Sequence, residues 1–523
     1  MKLVQKLVCG SLLALASAGA MADYTNPVLH ADYSDPDAIR VGNKYYMVAS
    51  SFNEAPGLPL LESDDMVHWK LVGHAIAQNL PLDMFAKPQH GKGVWAPCIR
   101  FHDGKFWIFY PDPDQGVFVT TATSFAGPWS EAKLILAGKG IIDPTPLWDD
   151  DGKAYLLHGW AKSRAGINNQ LSLRNMKPDA SGMLDTDSKV IIDGNKLAGY
   201  TTLEGPKFHK HNGYYYVFAP AGGVEHGWQS VFRSRKIDGP YEDKIVMAQG
   251  NSPTNGPHQG AWVDTPDGKD WFYHFQHKGA YGRIVHLQPM AWKNDWPVIG
   301  EDKDGDGVGQ PVLKYASPVA GKFAAVMPAT SDDFSGKKLG LQWQWNANWH
   351  PEWYSLTARP GFLRLNSQFE SDAPNQWNRS SILLQKLTAP VFTVTTRIDT
   401  KGQAEGDNFG LIMYGYDSKW LGVRRVEGKP KLVLVSCFKA LKGCEEKTEV
   451  TADLPQSAIT MRMSVTDGGK TQFAYSLDNK KFTDVGEPLV ASVGHWVGAR
   501  IGIFSAASQA GKGYVDVDDF SVK

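Results

Sequence analysis

The chain has 523 residues, more than one ordinary domain accommodates, so two or three domains are expected. Its 54 basic and 55 acidic residues leave a formal net charge of −1, which argues against nucleic acid or an anionic membrane as the main partner. A hydrophobic content of 42% provides for real cores, and 18 Trp within an aromatic content of 11% suit a β-rich chain with flat stacking surfaces.

The first 22 residues have the composition of a signal peptide. Lys2 and Lys6 form a positive end, Leu7 to Ala16 a largely apolar run, and Ala20-Met21-Ala22 a small-x-small cleavage site. The expected mature start is Asp23, and the expected location is the periplasm or the medium. The run is too short to span a bilayer, and no later segment approaches ~20 apolar residues, so no membrane partner is expected.

From residue 24 to about 315 a unit repeats five times. Each unit has a tight-turn signal followed by an aromatic-rich strand. The turns are Gly42-Asn43-Lys44, Asp103-Gly104-Lys105, Asp151-Gly152-Lys153, Asn212-Gly213 and Asp267-Gly268-Lys269. Asp-Gly and Asn-Gly supply the positive φ angles of hairpins. The strands that follow begin at Tyr45, Phe106, Ala154, Tyr214 and Trp271. A period of roughly 50 to 60 residues is the length of one four-stranded propeller blade. A little upstream of each turn stand Asp35-Pro36-Asp37, Trp95-Ala96-Pro97, Asp143-Pro144-Thr145, Glu204-Gly205-Pro206 and His258-Gln259-Gly260. On the innermost strands these tripeptides converge on one axis, and the three carboxylates Asp35, Asp143 and Glu204 are expected at equivalent points of their blades.

A hinge of small residues follows, Ala316-Ser317-Pro318-Val319-Ala320-Gly321 and then Met327-Pro328-Ala329. From about 330 to 523 the texture changes to longer alternating strands, among them Phe392–Thr396, Phe409–Met413, Lys431–Val435 and Ile459–Met463. That pattern predicts a two-sheet antiparallel sandwich, with Asp332-Asp333-Phe334 and Asp518-Asp519-Phe520 paired as edges. The chain is therefore expected to be all-β, a five-bladed β-propeller followed by a β-sandwich. Cys437 and Cys444 flank a short turning stretch and could form a disulfide, while Cys98 suits a buried small hydrophobe.

Two Asp and one Glu around one axis suit glycoside hydrolysis. That reaction needs an acid to protonate the leaving oxygen and a carboxylate on the other side of the sugar. Asp35 and Glu204 come from units that are not ring neighbours, whereas Asp143 would stand beside Glu204 and raise its proton affinity. The expected roles are Asp35 as general base, Glu204 as general acid and Asp143 as the modulator of Glu204. Asp37 competes for the role of Asp35. A non-catalytic, exported carbohydrate-binding propeller is the alternative of another class.

With these motifs in this order, the chain resembles glycoside hydrolase family 43. The resemblance rests on Ser34-Asp35-Pro36-Asp37, Trp95-Ala96-Pro97, Ile142-Asp143-Pro144, Leu203-Glu204-Gly205-Pro206 and His258-Gln259-Gly260. It implies a propeller followed by a concanavalin-A-like (jelly-roll) sandwich, inversion of configuration, and the same three carboxylate roles. The implied substrates are xylose- or arabinose-containing oligosaccharides or polysaccharides, with β-xylosidase expected first and α-L-arabinofuranosidase, or both activities, as the alternative. It further implies Trp95 and Phe52 as pocket aromatics and Arg283 as a basic residue bonding sugar hydroxyls or the acid. Blade packing competes for Phe52, and an exposed Gly-Arg turn for Arg283. The family's axial calcium implies His258 as a metal ligand for one structural Ca²⁺, against a hydrogen-bonded axial His with no ion. Asp302-Lys303-Asp304-Gly305-Asp306-Gly307 mimics the start of a calcium loop, but Leu313 stands where a bidentate Glu is needed. A cation clamp at Asp333 with Asp518 or Asp519 is a further expectation. No organic cofactor is expected.

Overall fold

A computed structural model describes residues 23–523; the signal peptide expected at 1–22 lies outside them. The five repeats fold into five four-stranded antiparallel sheets, each built from consecutive strands. Their innermost strands are Asp37–Val41, Cys98–His102, Ile141–Trp148, Lys207–His211 and His258–Asp264. Each is joined to its second strand by the hairpin expected from the turn residues. Asp103 and Gly104 have φ of 48° and 69°, and Asn212 and Gly213 of 48° and 73°, the left-handed pair that suits the twist of a two-stranded hairpin.

Aromatic side chains on the second strands fill the wedges between blades. Tyr273 of blade 5 is fully buried and donates its hydroxyl to Met66 O of blade 1 at 2.7 Å. Burial of one such side chain stabilises the fold by roughly 1.5–3 kcal/mol. Among the described residues, no four-stranded blade combines strands from the two ends of the propeller sequence. The ring is instead closed by a two-stranded clasp, Asp23–Thr25 against Lys314–Ala316. Next to it, Leu29 and Val285 exchange backbone hydrogen bonds, and Asn26 Nδ2 donates to Leu287 O and Val312 O.

The C-terminal part is a sandwich of two seven-stranded sheets. One has Arg500–Ala506 and Asn408–Tyr414 at its centre, the other Tyr514–Val522 and Phe392–Asp399. Leu411, Ile503, Val394, Met461 and Val517 meet in the core between them. Asp332 pairs with the end of the chain as expected, with two backbone hydrogen bonds to Phe520, but Asp518–Phe520 belongs to an inner strand of its sheet and not to an edge. Cys437 and Cys444 form a disulfide, and Cys98 is free and buried. The strands not anticipated include Lys447–Asp453 and Thr483–Val490, the outermost of their sheets and mostly exposed. An edge strand that buries little need not alternate between polar and apolar residues, so its pattern is weak.

The two parts are joined by backbone as well as side chains. Ala55 and Trp345 exchange N–H···O bonds of 3.0 and 2.6 Å, and Ala499 N–H donates to Ala280 O at 2.7 Å. The loop 491–499 of the sandwich thereby reaches the top of the propeller.

Candidate active site

The tripeptides at the entry of each inner strand line a cavity of about 230 Å³ on the propeller axis. Asp35, Trp95, Asp143 and Glu204 face it together with Phe52, Arg283 and Trp496. The backbone here is held in unusual conformations. Asp35, Phe52, Asp143, Thr202 and Gln259 all have positive φ, between 39° and 53°, although none is glycine. Left-handed backbone at such residues costs roughly 1–3 kcal/mol each, and it persists where the surroundings fix it, as at functional sites.

The register corrects one expectation. Asp35 and Asp143 precede their prolines directly, and the residue in the same place of blade 4 is Gly205, also with positive φ (60°). Glu204 stands one residue earlier, in phase with Ser34 and Trp95. Trp95 N–H donates to Pro111 O and Glu204 N–H to Pro220 O, while Ser34 O accepts from Ser50 N–H. The three carboxylates therefore do not occupy equivalent positions. Two project from one step of the inner strand and the third from the step before. The signal was in the sequence, since Pro follows Asp35 and Asp143 at once but follows Glu204 only after a glycine.

Asp35 is 5% exposed and fully bonded. Its Oδ2 accepts from Ser34 Oγ (2.9 Å) and Ser50 Oγ (2.8 Å), and its Oδ1 from Arg283 at 2.7 Å. Arg283 is no exposed turn residue: its guanidinium also donates to Ser34 Oγ and lies over the Phe275 ring. Asp37 does not line the cavity. It accepts from Ile99 N–H and from Arg100, beneath the floor, where Lys207 donates to Pro97 O. These bonds tie the inner strands of blades 1, 2 and 4 together below the site.

Asp143 is buried at 4%, and its Oδ2 accepts from Gly205 N–H at 2.7 Å, the residue after Glu204. Burial, and then the Glu204 charge, push the Asp143 carboxyl up to about 8. Asp143 therefore keeps its proton at neutral pH. Glu204 is the more accessible of the two, its side chain 27% exposed. Its Oε1 lies 3.1 Å from His258 Nε2.

Trp95 forms one wall, with its Nε1 donating to Gly91 O, the Arg164 guanidinium 5.5 Å from its ring centre, and Phe52 edge-on at 6.4 Å. Phe52 is 3% exposed, so it serves blade packing and cavity wall at once. Trp496, from the sandwich loop, stands 6.2 Å from Trp95 in an edge-to-face arrangement. Nothing in the sequence singles it out among 18 tryptophans except its flanking glycines, Gly494 and Gly498.

Among the described residues no group of three or more His, Cys, Asp or Glu side chains is placed to hold a metal ion. His258 Nδ1 is buried without a partner, but a calcium ion needs six to eight oxygens and would have to draw them from water. In the loop at 302–307, Asp302 accepts from the amides of Gly305 and Gly307, and Asp306 from that of Val308, as in an ordinary turn-rich loop. Asp333 accepts from Ser335, and Asp518 pairs with Arg397.

The profile of glycosyl hydrolases family 43 matches residues 24–297, and that of the β-xylosidase C-terminal concanavalin A-like domain matches residues 331–523. The chain belongs to glycosyl hydrolase family 43. A relative from Xylanibacter ruminicola, provisionally named a beta-xylosidase, is 38% identical over 496 residues, 93% of this chain and 87% of that protein. A non-reducing end alpha-L-arabinofuranosidase of Bacteroides ovatus is 31% identical over 76% of this chain and 75% of its own. A solved structure of a bifunctional GH43-CE protein of Bacteroides eggerthii superposes with a TM-score of 0.84 at 30% identity. The match covers 96% of this chain and 64% of that one. As a family 43 member this chain is a glycosidase, and the alternative of a non-catalytic binding propeller falls away.

Proposed function

We propose that this family 43 enzyme is an inverting β-xylosidase that removes terminal xylose from xylo-oligosaccharides or xylan side chains. The observation that carries this is the placement of Asp35 and Glu204, from blades 1 and 4, on one cavity of about 230 Å³. Sites for larger ligands commonly span ~300–1,000 Å³, so the cavity suits a terminal sugar better than a strand of polymer. The name of the Xylanibacter ruminicola relative supports the same substrate.

In this mechanism Asp35 takes a proton from a water that attacks the anomeric carbon. The bond from that carbon to the leaving oxygen breaks, and Glu204 gives the oxygen its proton, so the product has the opposite anomeric configuration. Arg283 and two serine hydroxyls orient Asp35 toward the water. Asp143 positions Glu204 through the Gly205 amide that follows it, and His258 braces the Glu204 carboxyl. Trp95, Phe52 and Trp496 give apolar walls to the pentose.

The Bacteroides ovatus relative favours α-L-arabinofuranosidase as a second activity. An NMR time course on xylobiose and on arabino-oligosaccharides separates the two. Release of α-xylose as the first-formed anomer from xylobiose is expected, whereas β-xylose, or arabinose alone, would overturn the assignment. The signal peptide expected at 1–22 and the Cys437–Cys444 disulfide support export to the periplasm or the medium.

A further inference from the structure

We infer that Asp32 is a positioning residue, through which the sandwich fixes the geometry of Arg283 and of the Trp496 loop. Asp32 lies three residues before Asp35, does not line the cavity and is 2% exposed. Its Oδ1 accepts from Arg283 N–H at 2.8 Å. Its Oδ2 accepts from Gly498 N–H and from Arg500, both at 2.9 Å. One carboxylate thus holds the backbone of the residue that bonds Asp35 and the backbone two residues after Trp496.

The close approach is built into the glycines. A Cβ on Gly282, where φ is 75°, would stand 2.4 Å from Asp32 Cγ, and one on Gly498 would stand 2.6 Å from Gly282 N. Three segments therefore meet where only glycine leaves room for the carboxylate.

Asp32 is part of a buried set of four charges across the domain boundary. Arg500 Nε donates to Glu54 Oε1 at 2.7 Å, and Lys386 Nζ lies 3.8 Å from Glu54 Oε2. Asp32 and Glu54 belong to the propeller, Arg500 and Lys386 to the sandwich, and none is more than 9% exposed. Apolar side chains would join two domains at lower desolvation cost. What they do not provide is a fixed direction for two amides, and Asp32 supplies that at the cavity rim.

The inference rests on the role given above to Arg283, and the test separates the two. Steady-state kinetics on an aryl xyloside are measured for Asp32→Asn, Arg283→Ala and the double variant, each below its own melting transition. Asp32→Asn is expected to lower kcat/KM about 10- to 100-fold, mostly in kcat, because it loosens the group that orients the base. The double variant should be no slower than Arg283→Ala alone to within about twofold. Effects that multiply, or an Asp32→Asn variant of lowered melting temperature with kcat within about twofold of the parent, would reduce Asp32 to interdomain glue and overturn the inference. Arg283→Ala with unchanged kinetics would remove the role of Arg283 itself, and the inference with it. If Asp32→Asn does not fold, Arg500→Lys, which keeps the charge but loses the fork, enters the same cycle with the same criteria.

Discussion

Asp143 is a shielded carboxyl that keeps its proton beside the more accessible carboxyl of Glu204. Because Asp143 holds its proton up to about pH 8, kcat/KM should fall as pH rises through that value. Asp143→Asn removes the group that loses its proton near pH 8, so the alkaline limb should move away from that value. A pH–rate profile of the variant, with its limb unmoved, would contradict the coupling. Glu204→Ala should slow cleavage of an unactivated alkyl xyloside by about 10²- to 10⁴-fold and that of an aryl xyloside with a good leaving group far less. Asp35→Ala should slow both alike, since water must be activated in either case. These side chains were legible in the sequence because turn chemistry and proline punctuate the repeat. The one-residue offset of Glu204 is masked because Gly205 takes the left-handed step that Asp35 and Asp143 take themselves.

At the scale of elements, the inner strands carry the chemistry and the loops complete it. The five hairpins and most of the sandwich strands could be read from period and turn residues, since burial on one face imposes alternation. The loop 491–499 could not, because its place depends on contacts between domains far apart in sequence, such as Ala499 with Ala280. Trp496 is 49% exposed and touches the cavity from outside the propeller. Trp496→Ala should raise KM for xylo-oligosaccharides several-fold, up to about tenfold for a loss of ~0.5–1.5 kcal/mol of ring contact, and leave kcat nearly unchanged. Titration of initial rates against xylotriose concentration measures the split, and a loss confined to kcat would reassign the ring to the reaction step.

For the whole molecule, the propeller and sandwich are locked together by charge, because buried acids of the first are neutralised by bases of the second. Burial opposes ionisation of Asp32, but Arg500, Lys386 and the two amides outweigh it and hold its carboxyl below the usual 3.8. Its contribution to stability is therefore complete above that value and disappears as pH falls through the lowered one. The melting temperature should be insensitive to this group at neutral pH and drop on acidification below about 4. Arg500→Met, which strands two acids, should flatten that acid dependence while lowering the melting temperature at all pH values. A differential scanning series that finds parallel curves for parent and variant would argue against the link.

The two-stranded clasp that shuts the ring has a mechanical corollary. Since every blade is complete without it, the seam between the first and last blades can part while each sheet stays intact, like a bracelet whose fastener slips before any bead breaks. Amides of Leu29 and Val285 should accordingly exchange with deuterium sooner than those at the centres of the blades.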